Sequence, residues 1–512
     1  MPTLIECSTL RQSTQHTETV AADSHTAMAT ACATTVVAEE PKKDHIIIVP
    51  FMAKGHIIPL LHLAAALSGR GLYVTIITTP SNAPFIRRHL PACRYPLVTV
   101  HSLPFPLFSP LPPGVESTDA LPSPDLYSTF HRAAVLLADP FSRLLRQIVE
   151  GGVTSPPRPL CLISDFLLWW TVPPCLELGL PRLVFHGMSV FSMVLCRFMG
   201  CHRPFDGGAE TFHVPGTPPS ILLSQTDVPQ EVRDLDKPNK ASIPFMDVIG
   251  STDVSSWGVL VNSFSEIDTG YFTELLESTY QSSTRAWLVG PLCLFPTADV
   301  CDAKSDPEGY LQWLDEKPRD SVVYVSFGTQ AQLSDAQLDE VAHGLAESGY
   351  EFLIVTRSST WRAPLDLAST GSKVVRRWVP QEALLRHSAV GCFVSHCGWN
   401  SVLESLAAGV PILAFPMMAE QALNARHVAE VLGAGLSLGS RLPGEIVGRE
   451  EVAEGVRRMM GGGEQWAGQA RERAAEIQRA AEEAVAEGGS SQVALQELLM
   501  KLREIRAGKE TT

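Results

Sequence analysis

Short runs of apolar, often β-branched residues alternate along the chain with stretches that have the apolar spacing of helices. The first half of this pattern predicts strands at His45–Val49, Val74–Thr78 and Leu160–Ile163, with an amphipathic helix over Ile57–Ser68. The pattern starts again with predicted strands at Val322–Phe327, Phe352–Val355, Cys392–Ser395 and Ile412–Phe415. Apolar strands separated by helices are typical of parallel sheets that are covered on both faces. The sequence therefore predicts an α/β protein with two domains in tandem.

The segments between these patterns suggest the domain boundaries. Residues 1–43 are rich in Ala, Thr and Ser without periodicity, which predicts a disordered leader. A targeting segment is the alternative, although it would normally be rich in Arg and poor in acidic residues, unlike this stretch. We expect an N-terminal domain over 44–285, a Pro- and Asp-rich linker over 286–307, a C-terminal domain over 308–487, and a last helix within 488–512 that packs back toward the first domain.

Two further segments have distinctive compositions. The polar stretch Asp206–Lys240 is expected to be a surface excursion of the first domain. An Ala- and Glu-rich helix is predicted over much of Glu464–Glu487, and Gly488-Gly489 separates it from a final helix around Val493–Ile505.

Charge and cysteine usage exclude several classes of function. The 512 residues carry 40 Lys and Arg against 55 Asp and Glu, a formal net charge of −15, which argues against nucleic acid or an anionic membrane as the main partner. The 11 cysteines are scattered and form no CxxC pair, as expected for a reduced, cytoplasmic protein. No uncharged apolar run reaches the roughly 18 residues that would suggest a membrane span.

Chemically informative residues are concentrated in the 44 residues from Trp378 to Gln421. Within them, the strand Cys392–Ser395 ends in a Gly-containing turn, and a helix begins near Asn400-Ser401, at the edge where parallel sheets bind ligands. The free N–H groups and dipole of a helix start can bind a phosphate without a Lys or Arg cluster. A merely capped helix start fits this piece equally well.

Other residues of the same stretch suit a nucleotide sugar. Trp378 could stack on a base or be an ordinary core residue. Glu404 lies one helical turn after Ser401, where it could accept hydrogen bonds from a ribose diol or simply be solvated. Glu420 and Gln421 follow a strand and provide a carboxylate and an amide, which suit a polyol.

These residues together resemble the signature box of the plant family 1 UDP-dependent glycosyltransferases. The resemblance rests on Trp378-Val379-Pro380-Gln381, His396-Cys397-Gly398-Trp399-Asn400-Ser401, Glu404 and Glu420-Gln421, and extends to Val261-Asn262-Ser263-Phe264, Val289-Gly290-Pro291 and Tyr324-Val325-Ser326-Phe327-Gly328-Thr329. It implies a GT-B fold, in which two Rossmann-like domains face each other across a cleft. The acceptor would lie mainly in the N-terminal half and the UDP-sugar mainly in the C-terminal half.

The resemblance also implies roles for individual residues. Trp378 would stack on uracil, with Val379 and Gln381 beside the uridine and Glu404 on the ribose hydroxyls. The diphosphate would contact His396, Asn400 and Ser401 near Gly398, helped by Thr329. The sugar hydroxyls would contact Trp399, Glu420 and Gln421. A Gln at the end of the box goes with glucose in the family, so Gln421 favours UDP-glucose as donor.

Transfer to a hydroxyl needs a base that is neutral near pH 7, for which histidine is suited. His56 follows the first strand at the carboxyl edge of the sheet, and the start of the next helix would disfavour its imidazolium form. Gly55-His56-Ile57-Ile58-Pro59 resembles the family's N-terminal motif. Asp165 ends another strand and matches the family aspartate that orients the histidine. Its alternative role is a helix cap.

The acceptor pocket is the least defined part of the prediction. Phe166, Trp169 and Phe191 are candidates to line it, with core packing as the alternative. They suggest a phenolic, flavonoid-like or other lipophilic acceptor.

We therefore expect an inverting glucosyltransferase that acts as a monomer on UDP-glucose and a small acceptor, with no cofactor and no metal. A metal-dependent transferase would use a DxD motif, but Asp234-Leu235-Asp236 has no strand before it and is best explained by chance. A catalytically silent UDP-sugar or small-ligand binding protein of the same fold is the alternative function.

Overall fold

Two parallel sheets, one in each half of the chain, form the frame of the protein. The computed structural model describes residues 43–510 apart from 152–155, 236–245, 282–283, 296, 298–305, 307, 332, 365–370, 442–443 and 462–464. The predicted leader, except for its last residue, lies outside the described residues, as do residues 296, 298–305 and 307 of the predicted linker.

The first sheet has seven strands in the order β3-β2-β1-β4-β5-β8-β9, all parallel. Its strands are β1 (His45–Val49), β2 (Tyr73–Thr78), β3 (Val98–Ser102), β4 (Cys161–Asp165), β5 (Arg182–His186), β8 (Gly258–Val261) and β9 (Arg285–Leu288). The central strand β1 is buried along its whole length, as expected for a sheet covered on both faces. β9 extends this sheet to Leu288, beyond the predicted domain boundary at 285.

The second sheet has six parallel strands in the order β12-β11-β10-β13-β14-β15. Its strands are β10 (Val322–Ser326), β11 (Glu351–Val355), β12 (Lys373–Val375), β13 (Val390–Ser395), β14 (Ile412–Ala414) and β15 (Gly435–Ser437). The predicted α/β class is thereby confirmed.

Helices flank both sheets. Those of the first half are α1 (Lys54–Gly69), α2 (Ala83–His89), α3 (Tyr127–Val135), α4 (Ala138–Glu150), α5 (Val172–Glu177), α6 (Val190–His202), α7 (Gln230–Arg233), α8 (Met246–Val254) and α9 (Gly270–Ser278). Those of the second half are α10 (Tyr310–Asp315), α11 (Asp335–Ser348), α12 (Gln381–Leu385), α13 (Trp399–Ala407), α14 (Gln421–Arg426), α15 (Arg449–Met460), α16 (Gln465–Val485) and α17 (Ser490–Glu510).

The last helix, α17, packs on the first sheet although it follows the second. Leu498 and Leu502 are buried in the same core cluster as Ile46 of β1. At its end, Arg503 Nε lies 2.7 Å from a carboxylate oxygen of Asp44, which joins the terminal helix to the start of β1. The chain therefore crosses from the second half back to the first.

The described part of the polar segment Asp206–Lys240 has many exposed residues, as predicted for a surface excursion, but it is also anchored to both halves of the chain. It contains the antiparallel hairpin β6 (Thr211–His213) and β7 (Leu222–Ser224), from which Phe212 and Leu223 are buried in a core cluster of the first half. Asp227, also buried, forms an ion pair with Arg426 of α14 at 2.8 Å. The segment therefore lies at the surface and contacts the second half through Asp227.

Within the described ranges, we find no helix with an apolar stretch long enough to cross a bilayer.

Candidate active site

A histidine and a buried aspartate meet at the carboxyl edge of the first sheet. Asp165 is the last residue of β4, and its Oδ2 lies 2.7 Å from Nδ1 of His56 in α1. The aspartate side chain is 1% exposed and that of the histidine 25%. The other carboxylate oxygen, Oδ1, accepts the Leu167 N–H at 3.0 Å. This bond closes a turn after β4 and caps no helix, since the next helical turn has Leu168 at its N-cap. The contact with Asp165 uses Nδ1 of His56 and leaves the other ring nitrogen, Nε2, for a ligand.

The electrostatic environment of His56 differs from the sequence expectation. Burial lowers the pKa of His56, but the carboxylates of Asp165 and Glu420 more than offset this effect, so the net shift is upward. From the start of the helix alone, we expected the imidazolium form to be disfavoured. The net shift of the His56 pKa is in the opposite direction, because the two carboxylates outweigh the other influences. A raised pKa makes the imidazole a stronger base in the cleft.

The first turn of α1 is tied to the second half of the chain. This helix begins at Lys54 rather than Ile57, so His56 lies within its first turn. Pro59 has no N–H to bond the Gly55 carbonyl four residues earlier. That carbonyl instead accepts a hydrogen bond from Asn400 Nδ2 of α13 at 2.5 Å. The residue next to His56 is therefore in direct contact with the predicted phosphate-binding helix.

Asn262, at the end of β8, completes this junction. Its side-chain Nδ2 lies 3.3 Å from Asn400 Oδ1, and its backbone carbonyl accepts from Trp399 Nε1 at 2.8 Å. Its Oδ1 accepts the Leu292 N–H at 2.9 Å. A Cβ at Gly290 would lie 2.5 Å from that Oδ1, so only glycine permits the approach. Sequence reasoning assigned Asn262 no role, although it lies in a family-like motif.

Two glycines surround the imidazole of His396 at the carboxyl edge of the second sheet. A Cβ at Gly328, after β10, would lie 2.5 Å from His396 Nε2, and one at Gly398 would lie 2.6 Å from it. Burial lowers the pKa of His396 to about 4, and the Ser326 backbone carbonyl opposes this only partly. His396 can therefore donate one hydrogen bond as a neutral ring, but it supplies no positive charge.

The predicted uridine residues form one hydrogen-bonded set. Gln381 Nε2 donates to Glu404 Oε2 at 2.6 Å and to Ser401 Oγ at 2.9 Å. Gln381 Oε1 accepts from the Tyr324 hydroxyl at 3.0 Å. These bonds hold the Glu404 carboxyl in place beside the start of α13.

Trp378, Val379 and Thr329 occupy different environments at this edge. The indole of Trp378 is 62% exposed, which leaves a ring face open for stacking, whereas Val379 is buried. Thr329 follows β10 and is half-buried, and its carbonyl accepts a hydrogen bond from Arg357. The open ring of Trp378 therefore excludes the core-packing alternative for this residue.

Two of the predicted contact residues have buried rings. The Trp399 indole is 2% exposed, stacks on His427 and donates to the Asn262 carbonyl, so only the backbone N–H of Trp399, at the start of α13, is left for a ligand. Phe191 is 1% exposed and packs on Phe272 and His427, so it belongs to the core. Spacing in the sequence does not distinguish these buried rings from the exposed ring of Trp378.

Glu420 directly precedes α14, and Gln421 is the first residue of that helix. Gln421 Oε1 accepts the N–H groups of Met417 and Met418 at 3.0 and 3.1 Å, which orients its Nε2 as the free donor. Burial is the main cause of a raised pKa for Glu420, and Glu231 of α7 raises it further. The polar segment before α8 thus brings a second carboxyl toward the cleft.

The surroundings of His56 on the first half are mainly aromatic. Phe166 is partly exposed, and its ring lies 6.2 Å from that of His56 and 5.0 Å from that of His186. Trp169 is also partly exposed and packs beside the core of the same half. These two rings fit an apolar pocket next to the base better than Phe191 does.

No group of three or more His, Cys, Asp or Glu residues suited to a metal ion occurs in the part of the chain that the structure describes. Asp234 of the DxD sequence directly follows α7 rather than a strand, and Asp236 lies outside the described residues.

Comparisons with known proteins give two consecutive family matches. Residues 43–195 match the family described as "Glycosyltransferase, N-terminal domain". Residues 284–444 match the family described as "UDP-glucoronosyl and UDP-glucosyl transferase". The first match contains the His56 and Asp165 pair, and the second contains the predicted nucleotide-sugar residues.

Individual relatives align along most of their length. Anthocyanin 3'-O-beta-glucosyltransferase of Gentiana triflora is 34% identical over 489 residues, covering 90% of this chain and 98% of the relative. Scopoletin glucosyltransferase of Nicotiana tabacum is 35% identical over 481 residues, covering 89% and 97%. The crystal structure of Glycyrrhiza uralensis UGT73P12 complexed with glycyrrhetinic acid 3-O-monoglucuronide is similar with a TM-score of 0.82 at 30% identity, covering 92% and 97%. The predicted GT-B fold is thereby confirmed.

The glycines around His396 generate a first prediction. We expect Gly328→Ala to weaken UDP binding by about tenfold or more, because the new methyl group would displace the imidazole. Isothermal titration calorimetry with UDP measures this change.

Gly349→Ala is the matched control, since Gly349 has a similar positive φ, 83° against 76°, but nothing lies within 4 Å of its Cβ position. It should cost about 1 kcal/mol of stability and leave UDP affinity unchanged. Wild-type affinity in Gly328→Ala would show that His396 does not contact the nucleotide.

Proposed function

The chain belongs to the plant family 1 UDP-glycosyltransferases, and from this premise we propose that it transfers glucose from UDP-glucose to a hydroxyl of a small lipophilic acceptor. The product would be a β-glucoside, formed with inversion at the anomeric carbon. The relatives from Gentiana triflora and Nicotiana tabacum are glucosyltransferases, which supports glucose as the sugar.

One observation carries this proposal. The His56 and Asp165 pair lies at the carboxyl edge of the first sheet, and the residue before His56 contacts the first turn of α13 on the second half. A base and a phosphate-binding helix start are thus brought to the same cleft. That arrangement suits transfer of a group from a diphosphate to a hydroxyl.

The reaction follows from these positions. The acceptor hydroxyl gives its proton to His56 Nε2 while its oxygen bonds to C1 of glucose, on the side opposite to the diphosphate. The bond between C1 and the phosphate oxygen breaks, and UDP leaves with the electron pair. Attack from the opposite side converts the α linkage of UDP-glucose into a β linkage. Asp165 stabilises the imidazolium that forms.

The second half would hold the donor. Trp378 would stack on uracil, with Gln381 and Val379 at the uridine and Glu404 on the ribose. The N–H groups in the first turn of α13 have no intrahelical acceptor, and with the helix dipole they would bind the diphosphate.

The remaining contacts to the UDP-sugar depend on which polar groups are not already engaged in hydrogen bonds within the protein. The side-chain amide of Asn400 donates to Gly55, so its backbone N–H is the group left for phosphate. Ser401 and the neutral His396 beside Gly398 and Thr329 would add hydrogen bonds. Glu420 and the free Nε2 of Gln421 would bind the sugar hydroxyls.

The acceptor would lie on the side of His56 where the aromatic rings of the first half are found. Phe166 and Trp169 offer partly exposed rings there, which favours a planar, phenolic or flavonoid-like acceptor. The scopoletin and anthocyanin in the names of the two relatives are aromatic molecules, which supports this class.

Residues of a single chain supply both halves of the site, so we propose that the monomer is active. The eight described cysteines are free thiols, which agrees with the predicted cytoplasmic location.

The base assignment gives the experiment that tests the proposed function. We expect His56→Ala to lower kcat by about 10³-fold, because no other group would accept the hydroxyl proton. UDP release from UDP-glucose with a panel of phenolic acceptors measures turnover, and calorimetry should show unchanged UDP affinity. His202→Ala, at an exposed position at the end of α6, is the control and should retain activity.

Near-normal turnover in His56→Ala would contradict this assignment. Wild-type protein that binds UDP but releases none with any acceptor would instead favour the catalytically silent alternative.

The upward pKa shift of His56 predicts how activity depends on pH. Only the neutral imidazole accepts a proton, so kcat/KM should fall as the pH drops through a pKa above the ordinary histidine value. Asp165→Asn removes a charge that raises this pKa, so the acid limb should move to lower pH while the plateau falls. Rate profiles of wild type, Asp165→Asn and the exposed control Asp247→Asn measure this shift. An acid limb that stays in place in Asp165→Asn would disprove the coupling.

We also propose that transfer needs no metal, because helix N–H groups and hydrogen bonds would stabilise the leaving diphosphate. Dialysis against EDTA should therefore leave kcat unchanged within error, with a magnesium-supplemented sample as control. Loss of turnover that magnesium restores would contradict the proposal.

A further inference from the structure

A buried polar cluster lies where α1 of the first half meets α12 of the second. His62 Nε2 is 3.7 Å from Glu382 Oε1, and the two residues are 2% and 9% exposed. Arg386, one turn further along α12, donates to the carbonyl of Cys293 in the connection between the halves. Glu382 therefore lies at the point where both halves and their connection meet.

Few interactions offset the cost of burying Glu382 in its ionised form. Its Oε2 is buried and has no hydrogen-bond partner among the described residues. Arg386 Nη2 is 3.7 Å from that oxygen, too far for a hydrogen bond. Burying an ionised carboxylate without hydrogen bonds is costly, so this position favours the neutral acid.

The predicted ribose ligand, Glu404, is the neighbouring acid. Gln381 immediately precedes Glu382 in the chain and donates to Glu404 at 2.6 Å. Gln381 thus connects the two acids, and negative charge on Glu404 disfavours charge on the buried Glu382, so one proton serves the pair. Gln381 can donate its N–H to an ionised Glu404, whereas Glu382 has no such donor. The geometry therefore directs the negative charge to Glu404 and the proton to Glu382.

The surrounding groups agree with this distribution. The titratable or charged groups that face Glu382 are His62 of α1, Cys293 of the connection, Arg386 of α12 and Glu404 of α13. Burial and then Glu404 raise the pKa of Glu382, and Arg386 lowers it in part. Burial also raises the pKa of Glu404, while Gln381 and Arg386 oppose the rise.

The histidine across the interface does not supply a compensating charge. Burial lowers the pKa of His62 to about 3, helped by His89 and Arg386. At neutral pH the contact between His62 and Glu382 therefore joins a neutral ring to a neutral acid.

We propose, resting on the function proposed above, that Glu382 is a positioning residue for the nucleotide. Held protonated against His62 of the first half, it leaves Glu404 as the ionised carboxylate that receives the ribose hydroxyls, and ionisation of Glu382 weakens UDP-sugar binding. Binding of the UDP-sugar is thus coupled to protonation of a single group, Glu382, at the boundary between the two halves.

The direction of this linkage follows from the charges. In the complex, Glu404 is ionised and UDP is anionic, so both favour the protonated form of Glu382. Bound protein therefore holds this proton to higher pH than free protein does. UDP binding should take up a proton on the alkaline side, and affinity should fall as the pH rises through the pKa of free Glu382.

The experiment compares UDP affinity in wild type and Glu382→Gln by calorimetry. The glutamine has the shape of the protonated acid but cannot ionise. Between about pH 7 and about pH 9, wild-type affinity should weaken by about tenfold more than the affinity of Glu382→Gln, since one pKa unit corresponds to a tenfold change. The terminal phosphate of UDP does not titrate there, because its second pKa is about 6. Ionisation of His56 and of the uracil N–H affects wild type and variant alike, so the difference between them reports on Glu382.

Glu454→Gln, at an exposed position on α15, is the matched control and should show the wild-type pH dependence. The same pH dependence in wild type and Glu382→Gln would overturn the inference. Wild-type protein that binds no UDP at about pH 7 would instead contradict the proposed function.

A second measurement keeps the test decisive if Glu382→Gln does not fold. Titrations of His56→Ala, which lacks the other titratable base of the cleft and should bind UDP normally, at about pH 8.5 in two buffers of different ionisation enthalpy give the number of protons taken up with UDP. Uptake of a substantial fraction of one proton is expected, and no uptake would overturn the inference.

Discussion

The geometry of the cleft depends on a small set of amide hydrogen bonds centred on Asn262. Its backbone carbonyl accepts from Trp399, and its side chain contacts Asn400, so the end of β8 is fixed against the first turn of α13. Asn400 in turn donates to the carbonyl of Gly55, the residue before His56. Hydrogen bonds are directional, so these contacts set the separation between His56 and the start of α13 more tightly than apolar packing could.

The start of α13 shows how an acidic protein can still offer a position for an anion. The chain has a net charge of −15, and burial keeps His396 neutral. The start of α13 can nevertheless attract an anion through oriented N–H groups. The carboxyl groups at the cleft differ in the number of hydrogen bonds that they accept. Asp165 has hydrogen bonds from His56 and a backbone N–H, whereas Glu382 has an oxygen without any partner in the described structure and favours its neutral form.

Much of the fold follows from local patterns, because a strand buried on both faces needs a continuous apolar run. The predicted strands in both halves were found within a residue or two of their expected ends. The site was less predictable where the outcome depended on a neighbour distant in sequence. The pKa of His56 is raised by Glu420 as well as by Asp165, and Asp227 of the polar segment pairs with Arg426 of the second half.

The sequence by itself determined the α/β class, the two sheets and the residue types at their carboxyl edges, since periodicity and turn chemistry are local properties. Only the tertiary structure decided which side chains are available to a ligand. Trp378 and Trp399 are the same residue in the same motif, yet one ring is open to solvent and the other is buried under His427. The cluster of His62 with Glu382 likewise joins residues of different halves. Such contacts depend on how the two halves pack together, and this packing cannot be predicted from the spacing of residues along the chain.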